Sequence, residues 1–123
     1  PVIIHSESGS PELMRELSEM ARSASLDPGR VIKHFSPPLV RGDETYGVFP
    51  SIPASKRSVR TALEKGDRFM LETDYIDDPE RPGVVMSVNT VPNKVRSLTL
   101  SGEMPSETAW KIGHDNPARM YGR

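Results

Sequence analysis

Three residues carry most of the chemistry this sequence offers. His5 follows Val2-Ile3-Ile4, His34 follows Val31-Ile32-Lys33, and Asp74 closes the run Arg68-Phe69-Met70-Leu71-Glu72-Thr73-Asp74. Each ends a β-branched or apolar stretch with a side chain able to bind a metal. Neutral imidazoles and a carboxylate suit a catalytic divalent ion, and three protein ligands leave a position open for water. Glu72 lies two residues before Asp74 and therefore points to the same side of its strand. On an inner face it would be a buried charge in need of a partner, which suits an outer support of the metal ligands. His114 follows no strand and reads as a solvent-facing loop residue. Lys56, Arg57 and Arg60 crowd one helical turn and read as a solvated face rather than a phosphate site. The chain has no glycine-rich phosphate loop, and nothing links Ser51, Ser55 or Ser58 to a histidine as a triad.

These ligands need elements that bring distant residues together. The first strand, Val2-Ile3-Ile4, is apolar throughout, the pattern of a strand buried on both faces. Ser6–Ser10 is a polar loop. Ser10 caps a helix that Pro11 opens, with Leu13, Met14, Leu17, Met20 and Ala21 forming one apolar stripe. Asp27-Pro28-Gly29 is a turn, and Arg30–His34 is the second strand. Phe35–Glu44 is a loop. A weaker third strand, Tyr46–Phe49, is expected to end at Pro50 and Pro53. Ser55 caps a helix to about Lys65, with Gly66 at its end. The fourth strand follows, and Tyr75–Ser87 is a long polar loop. Thr90 and Ser106 read as caps of two further helices, the first facing Val91, Val95 and Leu98 inward. Asn116-Pro117 opens a last turn that Gly122 closes. Strands alternating with crossovers indicate an α/β fold with a parallel sheet and outer helices. Such sheets bind ligands at the carboxyl ends of their strands, where His5, His34 and Asp74 stand.

Composition narrows the function classes. The chain has 123 residues, 35% hydrophobic and 27% charged, read as one domain over residues 1–123. Its formal net charge of −1 argues against wholesale binding to nucleic acid or to a membrane surface. No apolar run approaches the ~20 residues of a spanning helix, so no membrane partner is expected. The absence of cysteine excludes disulfides, thiolate metal sites and cysteine nucleophiles, and fits a cytoplasmic location. The chain opens directly on a strand. It reads either as a native start after loss of methionine or as a piece of a longer chain.

Four segments carry a family resemblance: Val-Ile-Ile-His-Ser after a proline, Val-Ile-Lys-His-Phe-Ser, Phe-Met-Leu-Glu-Thr-Asp, and the closing Asp-Asn-Pro-Ala-Arg-Met-Tyr-Gly. In this order and spacing they resemble the carboxyl-terminal half of TatD-like metal-dependent hydrolases, (β/α)8 barrels of the amidohydrolase type. The resemblance implies that the strands ending at His5 and His34, the Tyr46–Phe49 strand and the strand ending at Asp74 are the fifth to eighth of a barrel. It implies that His5, His34 and Asp74 bind metal. Asp74 would also take the proton of the attacking water. The implied cofactor is one or two divalent ions per full barrel, zinc, manganese or magnesium. The implied substrate is a phosphoester, small or nucleic acid, and several relatives act as deoxyribonucleases.

The sequence departs from that pattern in ways that carry expectations of their own. The family's His-x-His and its bridging glutamate are absent and would lie upstream of Pro1. A complete barrel needs ~250 residues. Ser6-Glu7-Ser8 after His5 and Tyr75-Ile76-Asp77-Asp78 after Asp74 give an acidic rim that disfavours a polyanionic substrate. The expected product is a half-barrel that alone turns over nothing. It either associates with the missing amino-terminal half or self-associates through open edges at Val2–Ile4 and Phe69–Thr73. The alternative is a non-catalytic truncated half-barrel that assembles with a partner chain.

Overall fold

In the computed structural model, residues 1–5, 11–34, 47–73, 80 and 89–122 are described. The loops expected at Ser6–Ser10 and Phe35–Glu44, nearly all of Tyr75–Ser87, and Asp74 itself lie outside them. The element order is β1 (Val2–His5), α1 (Pro11–Ser23), a 3₁₀ turn (Pro28–Arg30), β2 (Val31–His34), β3 (Phe49–Pro53), α2 (Lys56–Leu63), β4 (Met70–Glu72), α3 (Thr90–Leu100), α4 (Ser106–Trp110), a π-helical segment (Lys111–Asp115) and α5 (Asn116–Tyr121). The four strands form one sheet in sequence order, every neighbouring pair parallel. This is the parallel sheet that the strand–helix alternation implies, and it fits the (β/α) half-barrel that the resemblance implies.

Alternation along the strands sorts the core into layers. Val31, the first residue of β2, packs with Val48 and with Met14, Leu17 and Ala21 of α1. Ile52 and Phe69 pack with Val59 and Ala62 of α2, Leu98 of α3, Met104 and Ile112. These two clusters fill the outer face, under the helices. Ile32, Phe49 and Met70 belong to the opposite, inner face, where Met120 of α5 joins them, fully buried.

Local signals explain most boundaries. Asp27 accepts from Gly29 N–H at 2.8 Å and caps the 3₁₀ turn. Ser55 Oγ accepts from Ser58 N–H at 3.1 Å, the N-cap of α2 read from sequence. Gly66 ends that helical stretch at φ +123, a conformation that disfavours any side chain. Gly122 ends α5 in the left-handed region, its N–H donating to Ala118 O.

Five expectations need correction. Val2 and Ile3 are 41% and 54% exposed, so β1 is not buried on both faces; among the described residues it pairs with β2 alone. β3 begins at Phe49 and contains both prolines instead of ending at them. It pairs β2 through Phe49 and Pro50 and β4 through Ser51 to Pro53. Pro50 therefore sits where the ladder passes from one neighbour to the other, and Pro53 at the strand's last position. Met20 is 68% exposed while Ser18 is buried in its place, because Met14, Leu17, Ser18 and Ala21 share one helix face and Met20 stands aside from it. Thr90 is the first residue of α3 and Asn89 holds the cap position. Finally, Ser106 to Tyr121 is one continuous helical run, in which His114 is helical rather than on a loop. Pro117 has no N–H to continue an α ladder. The π turn just before it absorbs this: the Asn116 N–H reaches back five residues to Lys111 O.

Candidate metal centre

His5 and His34 are the last residues of adjacent parallel strands and partners in register. Parallel register puts both side chains on one face, the inner one, since His34 shares its side with Ile32. The strand spacing of ~4.8 Å then brings the rings together. Their centroids lie 4.8 Å apart at 31°, and Nδ1 of one is 2.9 Å from Nδ1 of the other.

Glu72 ends β4, two strands away from β2, and also points inward with Met70. Its Oε2 lies 3.3 Å from His34 Nε2, the side chains being 12% and 21% exposed. On β3 the inner positions are Ser51 and Pro53, the register partners of Met70 and Glu72. On the outer face Lys33 is completely buried, and its Nζ donates to His34 O at 2.8 Å, tying down the end of the strand.

The structure thus brings His5, His34 and Glu72 into one cluster at the carboxyl end of the sheet. Asp74, two residues past Glu72, lies outside the described residues. Among the described residues no group of three or more His, Cys, Asp or Glu side chains is arranged to hold a metal ion. The histidine pair nevertheless suits two positions of a coordination sphere. Two nitrogens bound at ~2.0–2.1 Å with tetrahedral geometry would stand about 3.3 Å apart, a little wider than the hydrogen-bonded Nδ1 pair at 2.9 Å.

The remaining candidates go elsewhere. His114 stacks on Trp110 with centroids 4.4 Å apart, and its Nδ1 lies 2.8 Å from Asp115 Oδ1. Lys56 and Arg60 both converge on Glu103, Lys56 at 3.6 Å and Arg60 through a short contact of its Nε. The Arg60 hydrogen bond, helped by one from Ser101 and the nearby Lys56 charge, holds the Glu103 carboxyl down at about 2. That cluster is a surface ion network with no phosphate role to explain. Sequence reasoning missed Asn116, taken only as the opener of a turn. Its Nδ2 donates to Asp67 O at 2.7 Å and Phe69 O at 2.8 Å, pinning α5 to the entry of β4. It also missed Arg68, which lies 4.8 Å over the Phe49 ring and donates to Gly47 O and Val48 O. Both act at the amino-terminal end of the sheet, away from the histidines.

Comparison with known proteins bears on the family of the chain. The uncharacterized protein MJ1127 of Methanocaldococcus jannaschii is 43% identical over 118 residues, which cover 96% of this chain and 42% of that protein. The chain therefore spans less than half the length of this curated relative. No solved structure matches it. The family model described as TatD related DNase matches residues 1–122. A parallel half-barrel, histidines at two adjacent strand ends and a family match over nearly every residue lead to one conclusion: the chain belongs to the TatD-related DNase family of metal-dependent hydrolases.

Proposed function

We propose that this chain supplies the carboxyl-terminal half of a metal-dependent hydrolase barrel acting on a phosphoester or related bond, DNA included. The observation that carries the reading is the meeting of His5 and His34 at the carboxyl end of a parallel sheet, 2.9 Å apart and backed by Glu72. His5, His34 and Asp74 would hold the metal, and Glu72 would support the ligands from outside. Zinc, manganese or magnesium suits this donor set, with one or two ions in a complete barrel. Bound there, a divalent ion supplies positive charge for the developing oxyanion and lowers the pKa of water. Asp74 takes the proton of the attacking water. Residues 1–123 act as a single unit, and a cytoplasmic location suits the family and the lack of cysteine. Among the described residues no helix is long and apolar enough to cross a membrane.

The second reading is a non-catalytic half-barrel that assembles with a partner chain. The exposed Val2 and Ile3 on β1 favour it. One assay separates the two. Phosphodiesterase turnover with added manganese or zinc is measured for the chain alone and after reconstitution with the amino-terminal half of the relative. The enzyme reading expects no turnover alone, metal-dependent turnover on reconstitution, and loss of it with Asp74→Asn. Turnover that ignores chelation or the Asp74→Asn change contradicts that reading. A folded complex with no turnover supports the second.

A further inference from the structure

We infer that two copies of this chain associate through their helices, the outer face of α1 in one copy seating in the groove between α3 and α4 of the other, reciprocally about a two-fold axis. The inference rests on the half-barrel fold and not on the metal, so its failure leaves the proposed chemistry untouched.

The groove is apolar on a surface that meets water. Val91, Val95 and Thr99 of α3 line it together with Ala109 and Trp110 of α4, and Arg96 joins them. Trp110 is 62% exposed. Tryptophan is among the side chains that most often anchor an interface. α3 carries Lys94 and Arg96 and no acidic residue. The same chain holds a matching face. Glu16, Met20 and Ser23 recur at helical spacing along the outer side of α1, with Glu19 beside them. Met20 is 68% exposed. That face offers an apolar side chain flanked by carboxylates to an apolar groove on a cationic helix, and opposite charges of this kind select partner and register. The occupant is a second copy because both sides of the contact stand on one chain. Placement in the fold agrees. α1 packs over Val31 of β2, beside the β1 edge. Leu98 of α3, Met104 and Ile112 pack over Ile52 and Phe69, beside the β4 edge. Among the described residues β1 pairs only with β2, and β4 only with β3. A two-fold axis along the strands sets β1 of each copy against β4 of the other with every strand parallel. It also carries each α1 toward α3 of the other copy. A two-fold contact of this kind is closed, so association stops at two copies.

Trp110 is the chain's only tryptophan, so its emission reports on the groove. Emission spectra and sedimentation equilibrium over one micromolar dilution series test the inference together. Expected is a dimer, with Trp110 emission moving to shorter wavelength as the dimer fills. Met20→Lys should weaken dimerisation about tenfold or more and hold the emission at long wavelength. Arg96→Glu and Glu16→Lys should each weaken it about threefold, and the two changes in one chain should restore part of the loss. All three positions are exposed, and circular dichroism checks that each variant keeps its helices. If Met20→Lys fails to fold, the charge variants still decide. A monomer at every concentration overturns the inference. So does a dimer whose Trp110 emission stays fixed, or a pair of charge changes whose effects add instead of cancelling. An emission shift that appears only on adding the amino-terminal half of the relative also overturns it, since the groove then takes that half.

Discussion

At the scale of single residues, the side chains that hold this molecule together differ from those placed to do chemistry. Asn116 is nearly buried and satisfies two main-chain carbonyls at once. Asn116→Ala would leave Asp67 O and Phe69 O short of a donor and should cost about 1–3 kcal/mol in urea unfolding. Glu103 works at the surface. Its carboxyl, held at about 2 chiefly by the Arg60 hydrogen bond, ionises more readily in the folded chain than in the unfolded one. A folded pKa below the unfolded value means stability that is fully present above the ordinary glutamate range and lost as pH falls toward about 2. Glu103→Gln should therefore flatten the loss of thermal stability between pH ~4.5 and ~2 and leave its slope near neutrality unchanged; an equal slope in both chains would contradict this. The histidines could be read from sequence because each closes an apolar run. Glu72 could be read because its two-residue spacing from Asp74 fixes its side of the strand. Glu103 and Asn116 could not, since their partners lie more than 40 residues away in sequence and neither has a local signature of its role.

At the scale of elements, the last helix is joined to three of the four strands through one buried side chain. Met120 projects from α5 into Ile32, Phe49 and Met70 and closes the inner face near its amino-terminal end. Met120→Ala should cost about 2–5 kcal/mol by chemical denaturation, the range for an unfilled buried side chain. A loss below about 0.5 kcal/mol would mean that α5 is not seated there. Ser55→Ala, which removes the α2 cap, should cost about 1 kcal/mol. Elements with periodic faces and side-chain caps were legible: α1, α2 and the alternation of strand and helix follow from spacing alone. β3 was not, because two prolines in a short run argue against a strand. Only the split pairing, one half with β2 and the other with β4, makes room for them. The unbroken run from Ser106 to Tyr121 was hidden for a similar reason. Pro117 marks a break, and the π turn that tolerates it has no sequence signature.

At the scale of the whole molecule, the sheet leaves β1 paired on one side among the described residues, with Val2 and Ile3 exposed. Unpaired strand edges and exposed apolar side chains seek another chain. Sedimentation equilibrium at micromolar concentration should show self-association, and Ile3→Lys should weaken it without changing the helical signal; a clean monomer before and after would contradict the open-edge account. The sequence pattern revealed the parallel sheet because β/α units repeat a simple order, and the half-barrel came from the family resemblance. What could not be read was how far β1 is left uncovered, since burial depends on what packs beside a strand and not on its own apolar run. The central claim is that His5 and His34 form part of a divalent metal site. Calorimetric titration of zinc into the chain tests it most directly. Weak binding of one ion per chain is expected, and it should disappear in His34→Ala and in His5→Ala. An isotherm that is the same in the unmodified chain and both variants, or no binding to any of them, would contradict it.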